Sequence, residues 1–88
     1  MPETVVEIVN RAGMHARPAS EFVKLAGTFQ SEIFLEKDGL EVNGKSIMGV
    51  LMLAAECGAK LTIRVDGEDA SEALDALSDL VQRGFEEE

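Results

Sequence analysis

Apolar and polar positions alternate along residues 3–9, with Val6 and Ile8 on one face and Glu7 on the other. Valine and isoleucine dominate the stretch, which predicts a first strand. The period then changes. Ala19, Phe22, Val23 and Ala26 stand at i, i+3, i+4 and i+7, the spacing of an amphipathic helix over 16–26, with Gly27 placed to end it. Alternation returns over 31–37, where Ile33 and Leu35 point one way and Phe34 the other. Asp38-Gly39 predicts a hairpin turn into a short strand over 40–43, which Asn43-Gly44 breaks. Helical spacing resumes at Ile47, Val50, Leu51 and Ala54, and Glu56-Cys57-Gly58 is expected to close that helix. Leu61, Ile63 and Val65 alternate with Lys60, Thr62 and Arg64 in a fourth strand over 60–65. Past Asp66-Gly67, the residues Ala70, Ala73, Leu74, Leu77, Leu80 and Val81 mark a long amphipathic helix to about Gly84. Asp69 and Glu72 before it form a pattern that acts as a capping box.

The order is therefore β-α-β-β-α-β-α, and the alternating strands predict an α+β fold with a sheet covered on one face. The 88 residues are expected to form one domain, 1–88. A chain of this size buries only about 60–65% of its unfolded surface. No apolar run approaches the roughly 20 residues of a membrane helix. The acidic N-terminus lacks the basic and apolar regions of a secretory signal. A single cysteine, Cys57, read as a structural thiol near a turn, fits a reducing compartment, so the expected location is the cytoplasm. The net charge of −9 and the absence of Tyr and Trp argue against nucleic-acid binding. Acidic residues at 86–88 oppose the dipole of the last helix, and that tail is expected to be mobile.

The candidate chemistry lies in residues 10–20, Asn-Arg-Ala-Gly-Met-His-Ala-Arg-Pro-Ala-Ser, which hold the only histidine. Gly13 marks a positive φ or a close approach. Pro18 belongs in the first turn of a helix, where its missing N–H costs nothing. His15 is thereby placed at or beside the N-cap, with Ala16, Arg17 and Pro18 as the first turn. The amides and the positive end of the helix dipole favour an anion there, and the Arg17 guanidinium adds a fork for its oxygens. Both features disfavour a second positive charge on the imidazole, leaving a ring nitrogen as nucleophile. Against this stands the ordinary role of a histidine near a helix start, an exposed cap residue.

The run Gly-Met-His-Ala-Arg-Pro-Ala-Ser resembles the active-site signature of the HPr family, the histidine-containing phosphocarriers of the bacterial sugar phosphotransferase system. The likeness extends over the whole chain, and a second family motif, Lys-Ser-Ile-Met-Gly-Val, occupies residues 45–50. The resemblance implies a four-stranded antiparallel sheet in the order 1-4-2-3, with three helices on one side. It implies that His15 is phosphorylated on Nδ1 by phospho-Enzyme I and passes the phosphoryl group to a sugar-specific enzyme IIA, assisted by Arg17. The chain would then be a carrier rather than an enzyme. It would hold no metal or cofactor of its own, since Enzyme I supplies the Mg²⁺ chemistry.

The resemblance also bears on the second helix. Ser46 is a favoured N-cap, and that alone accounts for it. In many Gram-positive members the matching serine is phosphorylated by HPr kinase/phosphorylase, and that reading stays beside the first. Ile47, Met48, Leu51 and Met52 exceed the apolar needs of a short helix, so core packing and an exposed contact patch both stand. The resemblance implies partner contacts at Met14, Ser20, Lys24, Lys45, Ile47, Met48 and Leu51. Gly27 and Gly49 depart from it, offering no charge where relatives often carry lysine. Two other readings remain: a paralogue serving nitrogen regulation or dihydroxyacetone phosphorylation, and a non-catalytic anion-binding adaptor. Nothing in the sequence predicts an oligomer, so a monomer is expected.

Overall fold

A computed structural model describes residues 2–86. Four strands, β1 (Glu3–Glu7), β2 (Glu32–Lys37), β3 (Leu40–Asn43) and β4 (Lys60–Asp66), form one antiparallel sheet in the order β1-β4-β2-β3. Three α-helices, α1 (Ala16–Ala26), α2 (Ile47–Met52) and α3 (Ala70–Gln82), alternate with them, and a 3-10 turn follows over Gly84–Glu86. The strand order is the one the resemblance implies.

The alternation read from sequence decides which face is covered. Val6, Ile8, Ile33, Leu35, Leu61, Ile63 and Val65 all lie buried on the inner face. They meet Ala19, Phe22 and Ala26 of α1, Val50 of α2, and Ala73, Leu77, Leu80 and Val81 of α3 in one apolar cluster. Burying each large side chain of this kind contributes about 1.5–3 kcal/mol. α3 lies against β1 and β4, and α1 packs against both α2 and α3. The other face is mainly polar, with Val5 and Phe34 among its charged residues. Arg64 sits at its centre and spans the sheet, bonding Glu3 of β1 at 3.1 Å, Glu36 of β2 at 3.2 Å and Glu41 of β3 at 3.0 Å. These bonds hold the guanidinium further toward its charged form.

Two local expectations are corrected, the end of α2 and the cap of α3. α2 ends at Met52, not at residues 56–58, because Ala54 takes a left-handed φ of 51° that no helix continues through. Gly27 caps α1 in a right-handed conformation, so its freedom to adopt positive φ is unused there. Asp69 stands at the N-cap of α3 without a side-chain cap bond. Its carboxylate instead accepts the N–H groups of Gln30 and Ser31 and the Ser31 hydroxyl, tying the start of β2 to the start of α3. Cys57 is exposed, its Sγ 3.8 Å from the Val9 carbonyl. Of the acidic tail, residues 87 and 88 lie outside the described residues, whereas Glu86 bonds Arg83 at 2.8 Å. Phe85, adopting φ 55°, turns its ring into the core.

The Asp69 cluster makes stability depend on pH. Bonds from Ser31 and Gln30 hold this carboxyl below the ordinary carboxylate range in the fold. Its contribution is therefore complete above the unfolded value, about pH 4, and is lost as pH falls through the lower folded value. Denaturant melts of the parent and Asp69→Asn should differ at neutral pH and converge in acid. A gap that stays constant below pH 4 would contradict this assignment.

Candidate functional site

β1 does not release the chain when its pairing ends. The Ile8 N–H donates to the Ala59 carbonyl at 2.9 Å, and the Gly58 N–H donates to the Ile8 carbonyl at 2.7 Å. The chain then turns, with the Gly13 N–H on the Asn10 carbonyl at 3.1 Å. Gly13 combines both properties expected of it. Its φ is 74°, and a Cβ there would stand 2.7 Å from the Ala55 oxygen and 2.9 Å from the Glu56 Cα. That approach lets the Met14 N–H reach the Ala55 carbonyl at 2.8 Å. The segment after α2 is thus a backstop for the turn that leads into α1.

His15 follows in extended conformation as the N-cap of α1, and its carbonyl accepts the Ala19 N–H at 3.0 Å. His15, Ala16 and Arg17 are exposed, while Pro18 is buried in the first turn. The amides of Ala16 and Arg17 lie where a helix offers no acceptor of its own. An imidazole, two first-turn amides and a guanidinium thus occupy three successive exposed residues. The arrangement can present a nucleophilic nitrogen and stabilise the oxygens of a phosphoryl group that joins it. A cleft of about 450 Å³ between α1 and α3, with Leu25, Leu80 and Phe85 in its lining beside Glu21, Lys24 and Arg83, lies along the other half of α1.

Ser46 is the N-cap of α2, its Oγ accepting the Gly49 N–H at 3.1 Å. Of the six residues of α2 only Val50 is buried. Ile47, Met48, Leu51 and Met52 are all exposed, Met48 at 70% and Met52 at 65%, so the surplus apolar residues are surface. Because α2 packs on α1, this patch adjoins the helix that His15 caps. Lys24 is exposed and Ser20 half-buried on α1.

Of the implied contact residues, Met14 lies in the core and Lys45 is half-buried. Met14 is 4% exposed and belongs to the core, because the Met14–Ala55 bond turns its side chain inward. Lys45 is half-buried, and its ammonium donates to the Phe29 carbonyl at 2.8 Å, which spends one of its donors inside the fold. One residue that shapes the site carried no role in the sequence reading. Asn10 is 2% exposed, and its Nδ2 donates to the Gly13 carbonyl at 2.8 Å. The available signal was parity: Asn10 is the third inward position after Val6 and Ile8, and a polar group there must find a partner.

Residues 2–83 match the family described as PTS HPr component phosphorylation site. The chain is 51% identical over 83 residues to the phosphocarrier protein HPr of Treponema pallidum, covering 94% of each. It superposes on a crystal structure of HPr from Thermoanaerobacter tengcongensis with a TM-score of 0.96 at 45% identity, covering 100% of this chain and 99% of that one. A structure of Crh from Bacillus subtilis, described as a swapped dimer, matches with a TM-score of 0.77 at 46% identity, covering 96% and 97%. With near-complete coverage in sequence and in fold, the chain belongs to the HPr family of phosphotransferase-system phosphocarriers.

Proposed function

We propose that this chain takes a phosphoryl group from phospho-Enzyme I onto Nδ1 of His15 and hands it to a histidine of an enzyme IIA. The observation that carries this reading is the exposed imidazole at the N-cap of α1, with Arg17 in the first turn. In the first transfer the Nδ1 lone pair attacks phosphorus, the P–N bond to the donor histidine breaks, and the donor ring recovers its electron pair. In the second, the acceptor imidazole attacks and His15 is released unchanged. The transferring group spreads its charge over three equatorial oxygens. The Arg17 guanidinium and the first-turn amides are the donors that would meet those oxygens, and donors aimed at developing charge lower a barrier.

Two proteins must reach His15 in turn, so the contact surface has to adjoin it. The exposed Ile47, Met48 and Leu51 supply an apolar patch on α2, and α1, which packs against α2, carries Ser20 and the exposed Lys24. The net charge of −9 selects partners whose facing surface is basic or mixed. The chain is read as a monomer that works in the cytoplasm and is regenerated each cycle, so it is a carrier rather than an enzyme.

The test is to incubate the chain with phosphoenolpyruvate, Mg²⁺ and Enzyme I, then add an enzyme IIA. The expected product is an acid-labile, base-stable phosphate on the chain that leaves when the acceptor is added. A phosphate that survives acid, or that cannot be passed on, would overturn the proposal.

We further propose that Ser46 is a regulatory phosphorylation site for an ATP-dependent HPr kinase/phosphorylase. A phosphate there sits at the start of α2, where the helix tolerates it, and adds nearly two negative charges beside Ile47 and Met48. Ser46→Asp should slow phosphorylation of His15 by Enzyme I by at least about tenfold, as charge enters a docking face. An unchanged rate would remove the switch.

A further inference from the structure

We propose that Asn10 is a positioning residue for phosphoryl transfer at His15, an inference that rests on the carrier reading above. Its amide is buried, and Nδ2 donates to the Gly13 carbonyl at 2.8 Å. The same carbonyl accepts the His15 N–H at 3.0 Å. One oxygen therefore joins a buried side chain to the backbone of the phosphate acceptor. The Gly13 N–H answers with a bond to the Asn10 carbonyl at 3.1 Å, so residues 10 and 13 hold each other in both directions. Met14, between Gly13 and His15, is fixed by Ala55.

This clamp has a job because of what Gly13 is. A glycine has several backbone wells open to it, and only one of them delivers His15 in extended conformation to the start of α1. The Ala55 wall excludes bulk at Gly13 but does not by itself choose among glycine conformations. The Asn10 amide does, by fixing where the Gly13 carbonyl points. Asn10 acts through the backbone and not on phosphate. A displacement of about 1 Å at a reacting group costs up to about a hundredfold in rate.

The test compares the parent with Asn10→Ala and Asn10→Asp, the second keeping shape while losing the donor. Initial rates of phosphorylation by phospho-Enzyme I are measured against chain concentration. For each variant that folds, kcat should fall about tenfold with KM within about twofold of the parent, because the α2 patch is untouched. A kcat within about twofold of the parent, or a loss wholly in KM, would overturn the inference. Hydrogen exchange of the parent supplies a check that needs no variant. The His15 and Met14 amides should be protected well above exposed loops, and rapid exchange at both would also overturn it. If the parent itself takes no phosphate from phospho-Enzyme I, the carrier reading fails. If the parent is phosphorylated and the variants match it, only the role of Asn10 fails.

Discussion

Replacing His15 with alanine is expected to leave a chain that folds as the parent does and accepts no phosphate from phospho-Enzyme I. The two halves of this result have separate causes. The imidazole is exposed and lies outside the apolar cluster, so its removal should leave the fold intact. The backbone features that shape the N-cap, the Gly13 carbonyl and the Ala19 N–H, stay in place. No other histidine is present to take the group. Denaturant melts and phosphoryl incorporation measured on the same sample separate the two effects. Residual acid-labile phosphate on His15→Ala would place the acceptor elsewhere.

The second large effect is structural. Gly13→Val should destabilise the fold by about 2–4 kcal/mol, from a left-handed β-branched residue and an overpacked contact. The contact would be with main chain, the Ala55 oxygen and Glu56 Cα, which has no rotamer to swing aside. For a domain of this size the midpoint should drop by roughly 10 °C or more. Folded Gly13→Val should also lose transfer rate, since relief requires the turn to move away from Ala55 and to carry His15 with it. Gly39, whose added Cβ would meet nothing within 4 Å, is the comparison site. Its φ is also positive, at 85°, so Gly39→Val carries the conformational cost without the collision. Equal destabilisation at the two sites would show that the approach to Ala55 costs nothing.

Most of the framework was legible because burial and periodicity coincide. Val6 with Ile8, Ile33 with Leu35, and Leu61 with Ile63 and Val65 each repeat every second residue, and each is buried. The helix start that holds the candidate site was legible because Gly13, His15 and Pro18 fall in order around it, each type suited to its place. What escaped depends on partners distant in sequence. Asp69 looked like a local cap, yet its acceptors are spent on Gln30 and Ser31. Arg64 carried only a place on the polar side of its strand, but pairing sets it between three carboxylates from three strands. Met14, beside the histidine in sequence, belongs to the core because its N–H is drawn to Ala55. The early end of α2 has no residue signal, since alanine rarely takes the conformation found at Ala54.

The proposed transfer turns on one atom of one ring, and nuclear magnetic resonance reads that atom directly. The chain, labelled with ¹⁵N, is charged by phosphoenolpyruvate and a catalytic amount of Enzyme I in Mg²⁺, and phosphorus–nitrogen couplings are recorded. A single phosphorus signal coupled to Nδ1 of His15 is expected, and it should disappear on mild acidification. A phosphorus signal on any other group, with the His15 ring unchanged, would contradict the proposed transfer.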